Sequence, residues 1–208
     1  SYNGAAWTQM GQDIDGEAAG DQSGRSVSMS GDGLAVAIGA SQNSNAGHVR
    51  IYSYNGIAWT QVGQDIDGEA AGDYSGSSVS MSSDGLTVAI GAPNNDGNGS
   101  SSGHVRIYSY NGIAWTQVGQ DIYGEAAGDY SGSSVSMSSD GLTVAIGALY
   151  NDGNGISSGH VRIFSYNGIA WTQVGQDIDG EAAGDQSGWS VSMSSDGLTV
   201  AIGAFGND

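Results

Sequence analysis

The chain repeats itself, and that limits its fold more than any single motif does. Ser-Tyr-Asn-Gly begins at Ser1, Ser53, Ser109 and Ser165, with spacings of 52, 56 and 56 residues. Residues 53–108 and 109–164 differ at only five positions: Asp67/Tyr123, Pro93/Leu149, Asn94/Tyr150, Ser100/Ile156 and Tyr108/Phe164. A period of this size is one supersecondary unit copied in tandem, and such a unit buries its apolar face only against its neighbours. The 208 residues therefore read as one repeat domain with units 1–52, 53–108, 109–164 and 165–208, the last incomplete.

Within a unit the apolar residues alternate in short bursts, the signature of strands. In the second copy His104-Val105-Arg106-Ile107-Tyr108 is followed by the tight-turn pair Asn111-Gly112 and then by Ala114-Trp115-Thr116-Gln117-Val118. Beyond an acidic loop come Ser133-Ser134-Val135-Ser136-Met137, the hairpin Ser139-Asp140-Gly141 and the apolar run 142–148. No window carries a helical period. Four short antiparallel strands per unit describe the blade of a β-propeller. Large Val, Ile and Met on one face against Ser, Ala and Gly on the other let twisted sheets stack face to face. A β-solenoid is the rival, but the hairpin turns argue against it. The expected fold is all-β: about four antiparallel four-stranded blades, alone or within a larger ring or filament.

Charge narrows the class. Asp and Glu number 22 against four bases, Arg25, Arg50, Arg106 and Arg162, for a formal charge of −18. With no lysine, a nucleic-acid partner is not expected, because phosphate binding needs clustered positive charge. The same charge opposes an anionic membrane surface, and no apolar run approaches the length of a membrane span. Cysteine is absent, which removes disulfides, thiolate zinc sites and a cysteine nucleophile. An acidic, Lys-free chain rich in Gly, Ser and Asn points to an extracellular or cell-surface setting. The start at Ser1 without a Met reads as a mature product or a fragment.

One stretch of each unit has a recognisable order. Ser75-Gly76-Ser77-Ser78-Val79-Ser80 leads into the Asp84-Gly85 hairpin, then Val88-Ala89-Ile90-Gly91-Ala92-Pro93 and Gly103-His104-Val105-Arg106-Ile107-Tyr108. This order resembles the Phe-Gly-Gly-Ala-Pro (FG-GAP) repeats of integrin alpha heads and bacterial surface proteins. The resemblance implies a propeller, an extracellular location and adhesion. The leading Phe is replaced by Ser23, Ser75, Ser131 and Ser187, and the closing Pro survives only at Pro93. The family's calcium hairpin is shortened to Ser-Asp-Gly.

A separate acidic loop recurs in each unit. Its carboxylates are Asp13, Asp15, Glu17 and Asp21; Asp65, Asp67, Glu69 and Asp73; Asp121, Glu125 and Asp129; and Asp177, Asp179, Glu181 and Asp185. Oxygen ligands spaced around a glycine turn suit Ca²⁺, the candidate cofactor. The alternative is a solvated loop whose Asp side chains cap turns through backbone amides, and that reading is preferred because Tyr123 interrupts the third copy. His48, His104 and His160 recur in Gly-His-Val-Arg, one per unit. They read as strand residues rather than as a metal ring. The arginines two positions on share their strand face and should pair with acidic-loop carboxylates. Trp7, Trp59, Trp115 and Trp171 are candidate sugar-stacking platforms, with packing between blades the preferred reading. Trp189 stands where Arg25, Ser77 and Ser133 stand in the other units and marks its blade as different. Asn98-Gly99-Ser100 fits the N-glycosylation acceptor pattern.

The histidines have no distinctive triad context, and paired carboxylates such as Asp65 and Asp67 lie in a polar loop, so no enzyme is expected. The favoured function is a non-enzymatic extracellular structural or adhesion protein. The alternative is a carbohydrate-binding, lectin-like propeller. The strand count adds one expectation. The Trp-Thr-Gln, Ser-Val-Ser-Met and Val-Ala-Ile-Gly segments each occur four times and the His-Val-Arg segment only three times. An incomplete blade leaves an open edge, so self-association or neighbouring repeats of a longer chain are the expected partners.

Overall fold

The computed structural model describes residues 1–2 and 4–208. The first sheet holds β1 (Ser23–Met29), β2 (Ala35–Ala40), β3 (His48–Tyr54), β4 (Trp59–Gln61) and β5 (Ile66–Asp67). The second runs from β6 (Ser78–Met81) through β7 (Thr87–Ala92), β8 (His104–Tyr110) and β9 (Trp115–Gln117) to β10 (Ile122–Tyr123). The third holds β11 (Ser134–Met137), β12 (Thr143–Ala148), β13 (His160–Tyr166), β14 (Trp171–Gln173) and β15 (Ile178–Asp179). A last sheet pairs β16 (Ser187–Met193) with β17 (Val200–Ala204). Among the described residues the only helical piece is a single turn at Asn43–Asn45.

Every pairing within these sheets is antiparallel. In each full sheet two short strands lie on the same side of the third strand: β9 pairs with Tyr108–Tyr110 and β10 with His104–Val105. They are one outer strand broken in the middle, so the blades are four-stranded and repeated in tandem, a propeller-like arrangement. Trp-Thr-Gln was legible as a strand. Ile66, Ile122 and Ile178, which begin its second piece, were hidden inside the acidic loop.

The turns follow the side chains that build them. Asn111 Oδ1 accepts the amides of Ile113 and Ala114, and Gly112 takes φ +92°, which closes the hairpin between third and outer strands. In the next hairpin Asp84 Oδ1 accepts the Ser82 hydroxyl at 2.6 Å and the Leu86 amide at 2.9 Å. The same bonds at Asp140 hold its carboxyl below the usual carboxylate range, the Ser138 hydroxyl contributing most. The shortened hairpin is a self-contained turn.

The cores lie between sheets. Ala37, Val49, Ile51 and Ile66 of the first sheet pack on Val79, Met81, Val88, Ile90 and Trp115 of the second. Ala89, Val105, Ile107 and Ile122 meet Val135, Met137, Val144, Ile146, Phe164 and Trp171 in the same way. Each sheet therefore offers a different face to each neighbour, as a copied unit must if it is to stack. Ser28, Ser80 and Ser136 Oγ accept the amides of Met81, Met137 and Met193, all at 2.9 Å, and align successive inner strands.

Candidate functional site

The acidic loops are divided between neighbouring blades. Asp73 is buried; its Oδ2 accepts the Ala70 amide at 3.2 Å and the Asn95 side-chain amide at 2.9 Å. Asp21, Asp129 and Asp185 do the same with Ala18 and Asn43, Ala126 and Asn151, and Ala182 and Asn207. These four carboxylates cap turns and hold the next blade's loop. Asp13, Asp65, Asp121 and Asp177 each accept a bond from the Gln four residues earlier. Asp15 and Asp67 have exposed side chains and contribute backbone carbonyls, which accept from Arg50 at 2.7 Å and Arg106 at 2.8 Å.

In this geometry the carboxylates of one loop face two different blades. Asp65 turns toward His48 of its own blade, whereas Glu69, four residues on, reaches His104 of the next. The side chains that converge are Glu17, His48 and Asp65; Glu69, His104 and Asp121; and Glu125, His160 and Asp177. Asp179 also lies 3.9 Å from His160 Nδ1, while Glu181 belongs to none of these groups. Sequence reasoning separated the histidines from the acidic loops because the loop that meets each histidine comes from two different units.

The arginines behave as their strand face requires. Arg50, Arg106 and Arg162 lie 3.8, 3.4 and 3.4 Å from Glu17, Glu69 and Glu125. Among the described residues Arg25 has no carboxylate partner. Burial, and after it the Arg106 guanidinium, push the His104 imidazole down to about 4; burial and then the Arg162 guanidinium shift His160 the same way.

A pH dependence follows. Between about 6.5 and about 4 the unfolded chain binds a proton at His104 that the folded chain does not, so stability rises with pH there. In metal-free buffer the melting temperature should be flat from pH 8 to 6.5 and fall as the pH drops towards 4. The full effect of this one histidine is on the order of 3 kcal/mol. His104→Gln should flatten the fall, and an equal slope in that variant would show that other groups cause it.

The tryptophans are not open platforms. Trp115 and Trp171 are each 3% exposed. Trp115 Nε1 donates to the Val62 carbonyl at 2.8 Å, and Gln64 brackets its backbone, donating to the Trp115 carbonyl and accepting its amide. Gly63 lies under the ring, where a Cβ would stand 2.8 Å from Cδ1. Trp171 repeats this with Val118, Gln120 and Gly119. Trp59 is half-buried with its Nε1 on Met10, and Trp7 alone presents its ring, 81% exposed. Trp115 and Trp171 thus pack between blades: the motif Gly-Gln in one blade clamps the Trp of the next. Asn98 is also committed, since its Nδ2 donates to the Gly124 and Glu125 carbonyls, both at 2.9 Å.

A second concavity lies beside the first strands of all four sheets. A cavity of about 520 Å³ is lined by Gln22, Arg25, Tyr74, Asn94, Tyr130 and Trp189, among others. Tyr150 packs edge-on against Tyr130 at 5.4 Å, and Trp189 stacks on Phe205 at 4.8 Å. Gln22, Tyr74, Tyr130 and Gln186 hold φ between 54° and 56°, a left-handed conformation unusual for such residues. The near-identical copies differ here: Arg25, Ser77, Ser133 and Trp189 are equivalent, as are Pro93 and Leu149.

Comparison with known proteins gives a consistent picture. The chain is similar in structure to hydrazine synthase from Kuenenia stuttgartiensis, with a TM-score of 0.57, 14% identity and coverage of 95% of this chain and 45% of that one. It is similar to a putative 6-phosphogluconolactonase from Bacteroides fragilis, with a TM-score of 0.55, 13% identity and coverage of 85% and 40%. At such identities the likeness is one of fold, and the chain spans less than half the length of either. No curated protein sequence matches. The family model of the FG-GAP repeat matches residues 65–108 and 124–164, so these two stretches, each joining the acidic loop to the Gly-His-Val-Arg strand, are FG-GAP repeats.

Proposed function

We propose that this chain is a non-enzymatic, extracellular repeat module of the adhesion type that continues sideways into further blades of its own kind. FG-GAP repeats are generally non-catalytic and typical of extracellular proteins. No helix among the described residues is long and apolar enough to cross a membrane. The observation that carries the reading is the contrast between filled and unfilled blade faces. Val79 and Met81 are 8% and 6% exposed against the preceding blade, while their counterparts Val27 and Met29 are 63% and 54% exposed. At the other end Ile178 is 39% exposed where Ile66 and Ile122 are 4%. It lines a groove between the third and last sheets with Ile163, Val174, Met193, Leu198 and Val200. Nothing lies over Gly175, the position that carries a Trp ring at Gly63 and Gly119.

Contiguous apolar faces of this kind mark contact surfaces, and both are shaped by the interface already repeated inside the chain. Laying the Val27 and Met29 face of one copy against the open last sheet of another is a heterologous contact, which builds a ring or a filament. In solution the occupant of each face is a second copy. Light scattering on the purified 208-residue chain should show concentration-dependent association, abolished by Val27→Ser with Met29→Ser. A stable monodisperse monomer would overturn the reading.

A second reading, a lectin-like module, is favoured by the axial cavity. Its mix of Tyr74, Tyr130 and Trp189 rings with Gln22, Asn94 and Arg25 suits a sugar, whose apolar faces stack on aromatics while its hydroxyls take polar groups. Binding on a glycan array that Trp189→Ala removes would favour it. An array without signal would leave the structural reading alone in place.

A further inference from the structure

We propose that the chain binds Zn²⁺ at a His-Glu-Asp cluster repeated between successive blades: Glu17, His48 and Asp65; Glu69, His104 and Asp121; Glu125, His160 and Asp177. Within each cluster one imidazole nitrogen and two carboxylate oxygens lie within 4.8 Å of one another. In the second, His104 Nδ1 is 3.8 Å from Glu69 Oε2 and 3.9 Å from Asp121 Oδ2. In the third, His160 Nδ1 is 3.9 Å from Glu125 Oε2, and Asp179 Oδ1, outside the cluster, lies at the same distance.

Carboxylates alone would make an unremarkable acidic patch. What points to a ligand is the histidine. His104 and His160 are each 1% exposed, and the Nδ1 of each faces the carboxylates without a hydrogen-bond partner. A buried polar atom left unpaired is costly, so its occurrence in two successive copies needs a reason. The distances are too long for hydrogen bonds and suit an ion between the groups. Ligands on a tetrahedral zinc stand roughly 3.4 Å apart given bonds of about 2.0–2.1 Å, so the carboxylates need to close by about half an ångström on the histidine and by up to about 1.4 Å on each other. The glutamates, 43–45% exposed, have room to do so.

The donor set selects the ion. Ca²⁺ takes six to eight oxygens and no imidazole, whereas one nitrogen and two oxygens with an open position suit zinc. The surroundings also fit. Gln117 donates to Asp121 Oδ1 at 2.6 Å and leaves Oδ2 facing the histidine. Arg106 lies 3.4 Å from Glu69 Oε1 and leaves Oε2 free. Such outer partners orient metal ligands. In the second cluster Tyr123 donates to Asp121 Oδ2 at 2.9 Å, so that site should be the weakest. Because Glu69 follows the first sheet and His104 with Asp121 belongs to the second, the ion would clasp neighbouring blades.

The test is calorimetric titration of the EDTA-dialysed chain with Zn²⁺, with Co²⁺ as a spectroscopic probe. The expected results are saturable uptake of one ion per cluster, a melting temperature that rises with Zn²⁺, and Co²⁺ bands of a low-coordinate nitrogen-containing site. The variant Glu17→Gln/Glu69→Gln/Glu125→Gln should keep its strand spectrum, because these side chains are partly exposed, and lose affinity by about tenfold or more. His160→Ala should remove the Co²⁺ bands of the third site. The proposal is overturned by absence of saturable uptake, by uptake undiminished in the glutamine variant, or by Ca²⁺ displacing Zn²⁺ at equal concentration.

Discussion

Gly91→Ala should disrupt the second and third sheets and cost about 3 kcal/mol or more. A Cβ at Gly91 would stand 2.1 Å from the Gly132 carbonyl oxygen of the next blade and 2.3 Å from Ser78 Oγ. Backbone cannot step aside as a side-chain tip can, and Ser78 Oγ is itself held by the same carbonyl at 2.7 Å. Gly132 is fixed too, since its amide donates to the Gly147 carbonyl at 3.0 Å and it takes φ +86°. Overpacking of ordinary core positions costs about 1–3 kcal/mol, and a clash against hydrogen-bonded backbone belongs at the upper end or beyond. For a chain of this length that is a fall in melting temperature of about 6–12 °C.

The control is Gly203→Ala, at the same strand position in the last sheet. There a Cβ meets only the Ser190 hydroxyl at 2.4 Å, with the next atom at 3.7 Å. A hydroxyl can rotate away, so the change should cost less than about 1 kcal/mol. Equal losses at the two positions would mean that the glycine serves its own strand rather than the blade interface.

That contrast bears on what the sequence discloses. The alternation in Val-Ala-Ile-Gly-Ala and the Asn-Gly and Asp-Gly turns were readable because they encode contacts local to one hairpin. The strand class, the blade and the FG-GAP repeat follow from them. Why the fourth residue of that run is glycine was not readable, because the atom that forbids a side chain, Gly132 O, comes from a blade 41 residues on. The His-Glu-Asp clusters were obscured for the same reason. Each draws its glutamate, histidine and second carboxylate from across a unit boundary, while the eye groups Asp65, Asp67, Glu69 and Asp73 because they are adjacent. Adjacent residues on a loop that passes between blades face different partners.

The tryptophans give the sharpest form of that lesson, because one motif should have two energies. Trp115→Ala should cost about 3–5 kcal/mol, the range for emptying a packed aromatic site. Its ring is 3% exposed, packs against Tyr110 at 5.3 Å and against Gly63, and its indole N–H satisfies the Val62 carbonyl. Truncation would leave both a cavity and an unpaired carbonyl. Trp171→Ala should match it, since the Gly119, Val118 and Gln120 contacts are the same. Trp59→Ala should fall between, its ring being half-buried. Trp7→Ala should change stability by no more than about 0.5 kcal/mol in dilute chain, because that ring is 81% exposed and packs at a tilt against Tyr2. Thermal or urea unfolding of the four variants gives the order directly. If Trp7→Ala proved as costly as Trp115→Ala at low concentration, Trp7 would have to be covered by a blade within the same molecule. If its cost appeared only as concentration rose, the covering blade would be that of another copy, with Trp7 seated over Gly175 as Trp115 is over Gly63.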